Sequence, residues 1–241
     1  ERPGMNAFAA RNPAFSHAEL AALAARHFGK EGAIRPLPSE RDQNARLAAG
    51  GEEYVLKIAN PAEDPGQIDL QNATMLHLAR VGQPGIPRVV PTLAGADRAE
   101  VQVDDQPALM RLVTWISGTP LAEAPRSIGQ LANLGRFMGD LTRSLQGFGH
   151  PQAFRPDFPW SLDHVIQLRD HAEDIVDPAR RDLVKELFTR YETRVLPRFE
   201  RLRAGVLHQD ANDNNLIVNP DGSAVTGLID FGDITFGRQV N

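Results

Sequence analysis

Apolar residues recur with two different periods in the first half of the chain. After Ser16, apolar positions at helical spacing predict a helix over 16–28, which Ser16 and Glu19 begin as a capping box. Beyond it, short apolar runs bounded by glycine, proline and polar residues are typical of strands. The segments predicted to be strands are 34–37, 45–48, 53–59, 89–93 and 108–115, with one helix over 68–80. This half is therefore predicted to be a small antiparallel sheet that carries one helix.

After residue 117, the spacing of apolar residues is mostly that of helices. A second capping sequence over 127–130 precedes apolar residues spaced by three and four, which predicts a helix to about residue 146. The residues that form this apolar stripe are Leu131, Leu134, Met138, Leu141 and Leu145. A further helix is predicted over 177–199, broken near Pro197.

The last segment of the chain predicts short strands again. Residues 205–207 form one apolar run, and the runs 216–218 and 224–229 are separated by a turn sequence over 219–222. We predict that the last two runs form a hairpin. A hairpin would place Asn215, before its first strand, near Asp230, after its second.

Composition narrows the class of protein. The chain has 241 residues, of which 41% are hydrophobic and 24% charged, as in ordinary folded proteins. Cysteine is absent, which excludes thiol catalysis, cysteine zinc sites and disulfides and agrees with a cytoplasmic location. The net charge of −5 argues against nucleic acid as the main partner. No apolar run approaches the roughly 18 residues of a membrane span, so no membrane partner is expected.

Four polar residues near the end carry a recognisable spacing. His208, Asp210 and Asn215 follow the H-x-D-x-x-x-x-N order of a kinase catalytic loop, and Asp230 begins an Asp-Phe-Gly sequence. Magnesium prefers hard oxygen ligands, which makes Asn215 and Asp230 the candidate metal ligands. Asp210 is the candidate that accepts a proton from an attacking hydroxyl or orients it. His208 is expected to brace the loop through hydrogen bonds.

These motifs, together with residues 39–44 (Ser-Glu-Arg-Asp-Gln-Asn), resemble the aminoglycoside phosphotransferase family, and within it the hydroxylysine-kinase-like branch. The resemblance implies an α+β, protein-kinase-like fold with two lobes. The N-terminal lobe would span residues 1–116 and bind nucleotide with its sheet, and the mainly helical C-terminal lobe would span 117–241. The family continues into further helices beyond this point, so we expect the fold to be truncated at its C-terminus.

The resemblance also implies ATP and Mg²⁺ as cofactors and assigns nucleotide contacts. Lys57 would reach the α- and β-phosphates, because strand alternation places it between Val55 and Ala59 on one face. Ser39 is the candidate phosphate donor of a loop that lacks glycine. By analogy with kinases a helix acid orients the lysine, and the candidates are Asp69 and Gln71.

The adenine is expected near the junction of the lobes, against the main chain of residues 112–116. Leu112 and Thr114 are the candidate nucleotide contacts there, and Met110 and Trp115 are candidate apolar walls.

The predicted function is transfer of the γ-phosphate of ATP to a hydroxyl of a small molecule. The acceptor would be an amino alcohol, a hydroxylated amino acid or an aminoglycoside-like compound, and the acidic balance agrees with a cationic one. The main alternative is a catalytically silent, nucleotide-binding kinase-like module that regulates a partner or a fused enzyme.

Two further enzyme classes stay open but are disfavoured. A protein kinase would normally carry a glycine-rich loop, and an arginine where this chain has Gln209. A metal phosphohydrolase could use the carboxylates of Asp210, Asp213 and Asp230, but that class usually needs more metal-binding histidines than His208 offers.

Overall fold

The first half of the chain forms helix α1 and one antiparallel sheet. The computed structural model describes residues 12–156, 158 and 160–240. The start of the predicted N-terminal lobe, residues 1–11, and the end of the predicted C-terminal lobe, residue 241, therefore lie outside the described residues. Helix α1 spans His17–Phe28 and helix α2 spans Pro65–Arg80. The strands are β1 (Ala33–Leu37), β2 (Gln43–Ala49), β3 (Glu52–Ile58), β4 (Val89–Val90), β5 (Ala99–Val103) and β6 (Gln106–Thr114). Their order is β1-β2-β3-β6-β4, and β5 also pairs with β6.

Local sequence signals begin and end these elements as predicted. The Ser16 hydroxyl accepts a hydrogen bond from the Glu19 amide at 3.3 Å, and the Glu19 carboxylate accepts one from the Ser16 amide at 2.7 Å. This is the expected capping box of α1. Gly50 and Gly51, at φ 62° and 81°, form the two-residue turn between β2 and β3, a conformation that favours glycine at both positions.

Two predicted elements in this half had a wrong boundary, and one strand was missed. Helix α2 begins at Pro65, because the Asp64 carboxylate caps it by accepting from the Gly66 amide at 2.8 Å, and proline suits the first helical position. The strand predicted over 89–93 ends at Val90, since Thr92 begins a turn in which its hydroxyl accepts from the Ala96 amide at 3.0 Å. Strand β5 was not predicted.

The second half of the chain contains helices and short strands. The strands are β7 (Thr119–Pro120), β8 (Ala204–Leu207), β9 (Leu216–Val218), β10 (Val225–Leu228) and β11 (Thr235–Arg238), and the α-helices are α3 (Ile128–Ser144) and α4 (Pro178–Arg190). Short 3₁₀ helices span Leu121–Glu123, Pro151–Ala153, Leu162–Asp174 and Leu196–Arg201, and a π-helical turn, Tyr191–Val195, follows α4. The helix predicted over 177–199 is thus α-helical only to Arg190, and its regular part ends earlier than the predicted break near Pro197.

The predicted hairpin is present as β9 and β10, which pair antiparallel. Strand β7 pairs with β9 on the side away from β10. Strand β11, which was not predicted, pairs with β8. The second capping box is only half formed. Ser127 accepts from the Gln130 amide at 3.1 Å, but the Gln130 side chain donates to the carbonyls of Pro125 and Gly222 instead of to Ser127.

Two groups of buried residues form the core. One joins α1 to the sheet, with Leu20, Leu47 and Leu56 among its members. The other joins α2 and α3 to the strands of the hairpin, with Leu78 and Leu228 among its members. The second group therefore holds the hairpin, and the loops at its ends, against the sheet that carries Lys57.

Among the described residues, no helix is both long enough and apolar enough to cross a membrane.

Candidate active site

His208 braces the loop that connects β8 to β9. Its ring is 3% exposed, its Nε2 lies 3.2 Å from the Ile229 carbonyl, and its Nδ1 accepts from the Asp210 amide at 3.3 Å. These partners require a neutral ring that carries its proton on Nε2. Burial lowers the pKa of His208 to about 4, although the carboxylates of Asp230 and Asp210 oppose the shift. The contacts agree with the bracing role expected from the sequence.

Asp210 and Asn215 are joined directly. The Asn215 side-chain Nδ2 donates to Asp210 Oδ2 at 2.7 Å and to the Asp210 carbonyl at 3.0 Å. Asn212 Nδ2 donates to the other carboxylate oxygen of Asp210 at 2.7 Å. The loop thus sets the orientation of the Asp210 carboxylate. Asn215 Oδ1 accepts no hydrogen bond from a described residue, so this oxygen is available to a cation.

The hairpin brings Asp230 beside Asn215, as the sequence predicts. The Ile229 amide donates to the Asn215 carbonyl at 2.9 Å, which ties together the residues that flank the two strands. Asp230 has φ 61°, a left-handed conformation that aspartate tolerates better than most residues. Its Oδ1 accepts from the Gly232 amide at 3.2 Å. Asn215 and Asp230 therefore flank the same end of the hairpin.

The charge of Lys57 acts on this point from the sheet. Enclosure by the protein would raise the pKa of Asp230, but Lys57, the Gly232 amide and other positive charges outweigh it and hold that pKa below its usual range. The pKa of Lys57 is itself lowered by burial and by Arg111, which lies opposite it on β6, while Asp230 and Asp42 oppose the shift. Lys57 is thus within electrostatic range of Asp230, the residue that the hairpin brings beside Asn215.

Asp69 does not contribute to this site. Its carboxylate pairs with Arg98 on the outer side of α2, and about half of its side chain is exposed. The expected orientation of Lys57 by Asp69 is therefore wrong. Gln71, the other candidate, is buried and binds Arg111, so it faces the sheet at the site. Ser39 lies exposed in the loop between β1 and β2.

Leu112 and Thr114 do not offer free groups to an adenine. Leu112 is fully buried, with its main chain between β3 and β4. The Thr114 hydroxyl accepts from the Arg88 amide at 2.9 Å, and its own amide donates to the Arg88 carbonyl at 2.9 Å. The Trp115 amide donates to Glu53. In the described chain, the main-chain groups of Ile116, further along this segment, form no hydrogen bond.

Sequence reasoning missed Arg155. Its Nη1 donates to the carbonyls of Gly232 at 3.1 Å and Ile234 at 3.3 Å, and its guanidinium stacks on Phe158 at 4.1 Å. It therefore holds the segment that follows Asp230. Nothing in its sequence context distinguishes it from a surface arginine, because the contacts join segments about 80 positions apart.

Arg111 was missed as well, although the sequence carried a signal for it. It is a charged residue within the apolar run 108–115, and it is only 4% exposed. Buried arginines need partners, but the sequence does not say which strand lies beside it.

A cavity of about 590 Å³ lies between α3 and the end of β8. His208 and Gln209 contribute to its lining, whereas Lys57, Asn215 and Asp230 do not. It thus borders the catalytic loop on a side other than the one that faces Lys57.

Comparisons with known proteins agree with this geometry. The sequence profile described as "APH: Phosphotransferase enzyme family" matches residues 33–239. Hydroxylysine kinase of Mus musculus is 31% identical over 262 aligned positions, covering 98% of this chain and 69% of the kinase. That of Danio rerio is 31% identical, covering 93% of this chain and 67% of the kinase.

Two solved structures share the fold. A microcompartment-associated aminopropanol kinase superimposes with a TM-score of 0.68 at 21% identity, over 92% of this chain and 71% of that one. Amicoumacin kinase, in complex with AMP-PNP, Ca²⁺ and Ami, gives a TM-score of 0.64 at 17% identity, over 94% of this chain and 66% of that one. The expected α+β, kinase-like fold is confirmed.

Proposed function

Because this chain belongs to the APH phosphotransferase enzyme family, we propose that it transfers the γ-phosphate of ATP to a hydroxyl of a short amino alcohol or hydroxylated amino acid. The family makes it a kinase of small-molecule hydroxyls, and the nucleotide, metal and acceptor are the proposed parts. One observation carries the assignment of the site. Asp210 is bonded to Asn215, whose main chain is bonded at 2.9 Å to the residue before Asp230.

Asp210 orients the acceptor and takes its proton. As the acceptor oxygen bonds to the γ-phosphorus, the bond from that phosphorus to the bridging oxygen of ADP breaks. Asp210 accepts the hydroxyl proton, and the two amides that bind its carboxylate hold it in place. Phosphoryl transfer depends mainly on such positioning and on charge neutralisation.

Asn215 and Asp230 fit a magnesium ion. Both offer hard oxygens, and Asn215 Oδ1 is not engaged by any described residue. No group of three or more metal-ligating His, Asp or Glu side chains occurs in the described part of the chain, so water and phosphate oxygens would complete the coordination. When bound, the ion neutralises charge on the phosphates. Lys57 contributes a positive charge from the opposite side.

The adenine would contact the main chain from Ile116 onward, immediately after β6. The lobe boundary near residue 116 and the cytoplasmic location stay predictions.

The proposed acceptor follows from the relatives. Two of the relatives are named as kinases of hydroxylysine and of aminopropanol. Both compounds carry an amine and a hydroxyl on a short chain. We place a hydroxylated amino acid first because the hydroxylysine kinases share about 30% identity with nearly the whole chain. Aminoglycosides are the second choice.

The test measures ADP release with MgATP and 5-hydroxylysine, 1-amino-2-propanol or spectinomycin. We expect turnover with 5-hydroxylysine and none with lysine, which differs only in lacking the hydroxyl. Asp210→Asn, nearly isosteric, should lower kcat by about a hundredfold or more, because a positioned base contributes about 10²–10⁴. Nucleotide affinity should be retained.

ATP binding without transfer to any of these acceptors would instead favour the silent module. Unchanged turnover in Asp210→Asn would reject the role given to Asp210.

A further inference from the structure

Lys57 and Arg111 lie side by side on the two central strands of the sheet. β3 and β6 pair antiparallel with Lys57 directly opposite Arg111, so both side chains leave the sheet on the same face. Arg111 is 4% exposed. Like charges placed directly opposite each other are unfavourable, and buried charge requires compensation.

Helix α2 contacts Arg111 through two neutral side chains. Arg111 Nη1 donates to Asn72 Oδ1 at 3.2 Å, and Nη2 donates to Gln71 Oε1. Asn72 Nδ2 donates in turn to the carbonyl and the carboxylate of Asp97, at 3.2 Å each, which directs the amide oxygen of Asn72 toward Arg111. Amide oxygens satisfy N–H donors without cancelling their charge.

Neither cation has a directly bonded carboxylate. Among the described residues, no carboxylate forms an ion pair with either Lys57 or Arg111, and Asp69, the acid of α2, pairs with Arg98 instead. Asp42 and Asp230 act on both cations at longer range, Glu63 and Asp97 act on Arg111 as well, and all of them favour the charged forms. Nucleotide phosphates would bring the direct countercharge that Lys57 lacks.

We infer that Arg111 is a positioning residue for nucleotide phosphates: held by Gln71 and Asn72, it keeps a second positive charge beside Lys57. Helix α2 thus supplies neutral amides, where a carboxylate would draw Arg111 into an ion pair before nucleotide arrives. The inference rests on the proposed function, because ATP provides the countercharge.

Gln71→Glu tests this inference by placing an acid at the position of α2 that contacts Arg111. We expect the affinity for Mg²⁺·AMP-PNP, measured by titration calorimetry, to fall about tenfold, because the new carboxylate pairs with Arg111 and cancels its positive charge. Gln83→Glu is the matched control. Gln83 is equally buried but bonded to Ser144, so its variant should bind as the wild type does. Unchanged or tighter binding by Gln71→Glu would overturn the inference.

Arg111→Lys and Arg111→Met decide the question if Gln71→Glu does not fold. The Arg111→Lys variant keeps the positive charge and should bind nucleotide more tightly than the Arg111→Met variant does. Loss of the neighbouring cation raises the pKa of Lys57, so the alkaline limit of binding should move to higher pH in Arg111→Met. Wild-type affinity with an unmoved limit in Arg111→Met would overturn the inference while the proposed function stands. Failure of the wild type itself to bind Mg²⁺·AMP-PNP would reject the proposed function.

Discussion

His208 is a buried imidazole held neutral between two main-chain groups. The Ile229 carbonyl accepts from its Nε2, and its Nδ1 accepts from the Asp210 amide, so the ring couples the loop of Asp210 to the end of β10. A positive ring would lose the second contact, since both nitrogens would then be donors. This is why the position suits a neutral residue and not a proton carrier at neutral pH.

The stability of the protein should therefore fall in acid because of His208. Its pKa is about 4 in the folded chain against 6.5 in the unfolded chain. The unfolded chain takes up the proton first, so the free energy of unfolding decreases by about 3 kcal/mol as pH falls from 6.5 to 4. In His208→Gln this part of the pH dependence should be absent, as measured by urea unfolding at a series of pH values. The exposed His17→Gln is the control, and equal pH slopes in all three proteins would contradict the assignment.

Strand β10 and the segment after β6 are packed too closely for any side chain at Gly227. A Cβ there would lie 2.4 Å from Ile116 Cγ2 and 3.1 Å from the Gly85 carbonyl. The hairpin flanked by the proposed metal-binding residues thereby contacts the segment proposed to receive adenine. Close approach at one glycine thus connects two elements of the site.

Opposite effects are expected for alanine at two glycines. Gly227→Ala should lower the free energy of unfolding by about 1–3 kcal/mol, because the added methyl overpacks the contact with Ile116. Gly135→Ala, within α3 and with nothing within 4 Å of its Cβ position, should raise it by about 0.5–1 kcal/mol through helix propensity. Denaturant unfolding measures both. Equal changes in the two variants would show that Gly227 is not closely packed.

At the scale of the whole molecule, the proposed site is formed by two distant parts of the sequence. Lys57 comes from the central sheet, and Asp210, Asn215 and Asp230 come from loops around the hairpin. The core group that includes α2, α3, β9 and β10 holds the two parts together. A ligand that contacts both parts should therefore stabilise the entire fold.

MgATP should raise the free energy of unfolding by about 2.7 kcal/mol at a hundredfold excess over its Kd. The gain in the free energy of unfolding should need Mg²⁺. Asp230→Asn should remove the Mg²⁺-dependent part because one of the two proposed ligand groups is neutralised.

Asp213→Asn is the control. Asp213 lies away from the site and pairs with Arg126, at a distance of 2.8 Å between the two side chains. An equal loss in Asp213→Asn would instead support the metal phosphohydrolase. A full gain in the presence of EDTA would contradict the metal assignment.

The elements with strong local signals could be predicted from the sequence alone. The capping box of α1, the glycine turn between β2 and β3 and the hairpin near the end depend on residues a few positions apart, so their geometry is encoded locally. The approach of Asn215 to Asp230 followed from the hairpin for the same reason. Strand β5 escaped prediction because only Val101 and Val103 of it are well buried, and its pairing with β6 makes it a strand.

Tertiary structure decided which side chains face the site. Asp69 and Gln71 are two positions apart on one helix, yet the first faces Arg98 outside and the second faces Arg111 inside. The rotation of α2 on the sheet sets that choice, and it depends on packing against residues far along the chain. Arg155 reaches the segment after Asp230 across about 80 positions in the same way. Local sequence thus determined which residues are proposed to carry the chemistry, and the packing of distant segments determined which partners hold them.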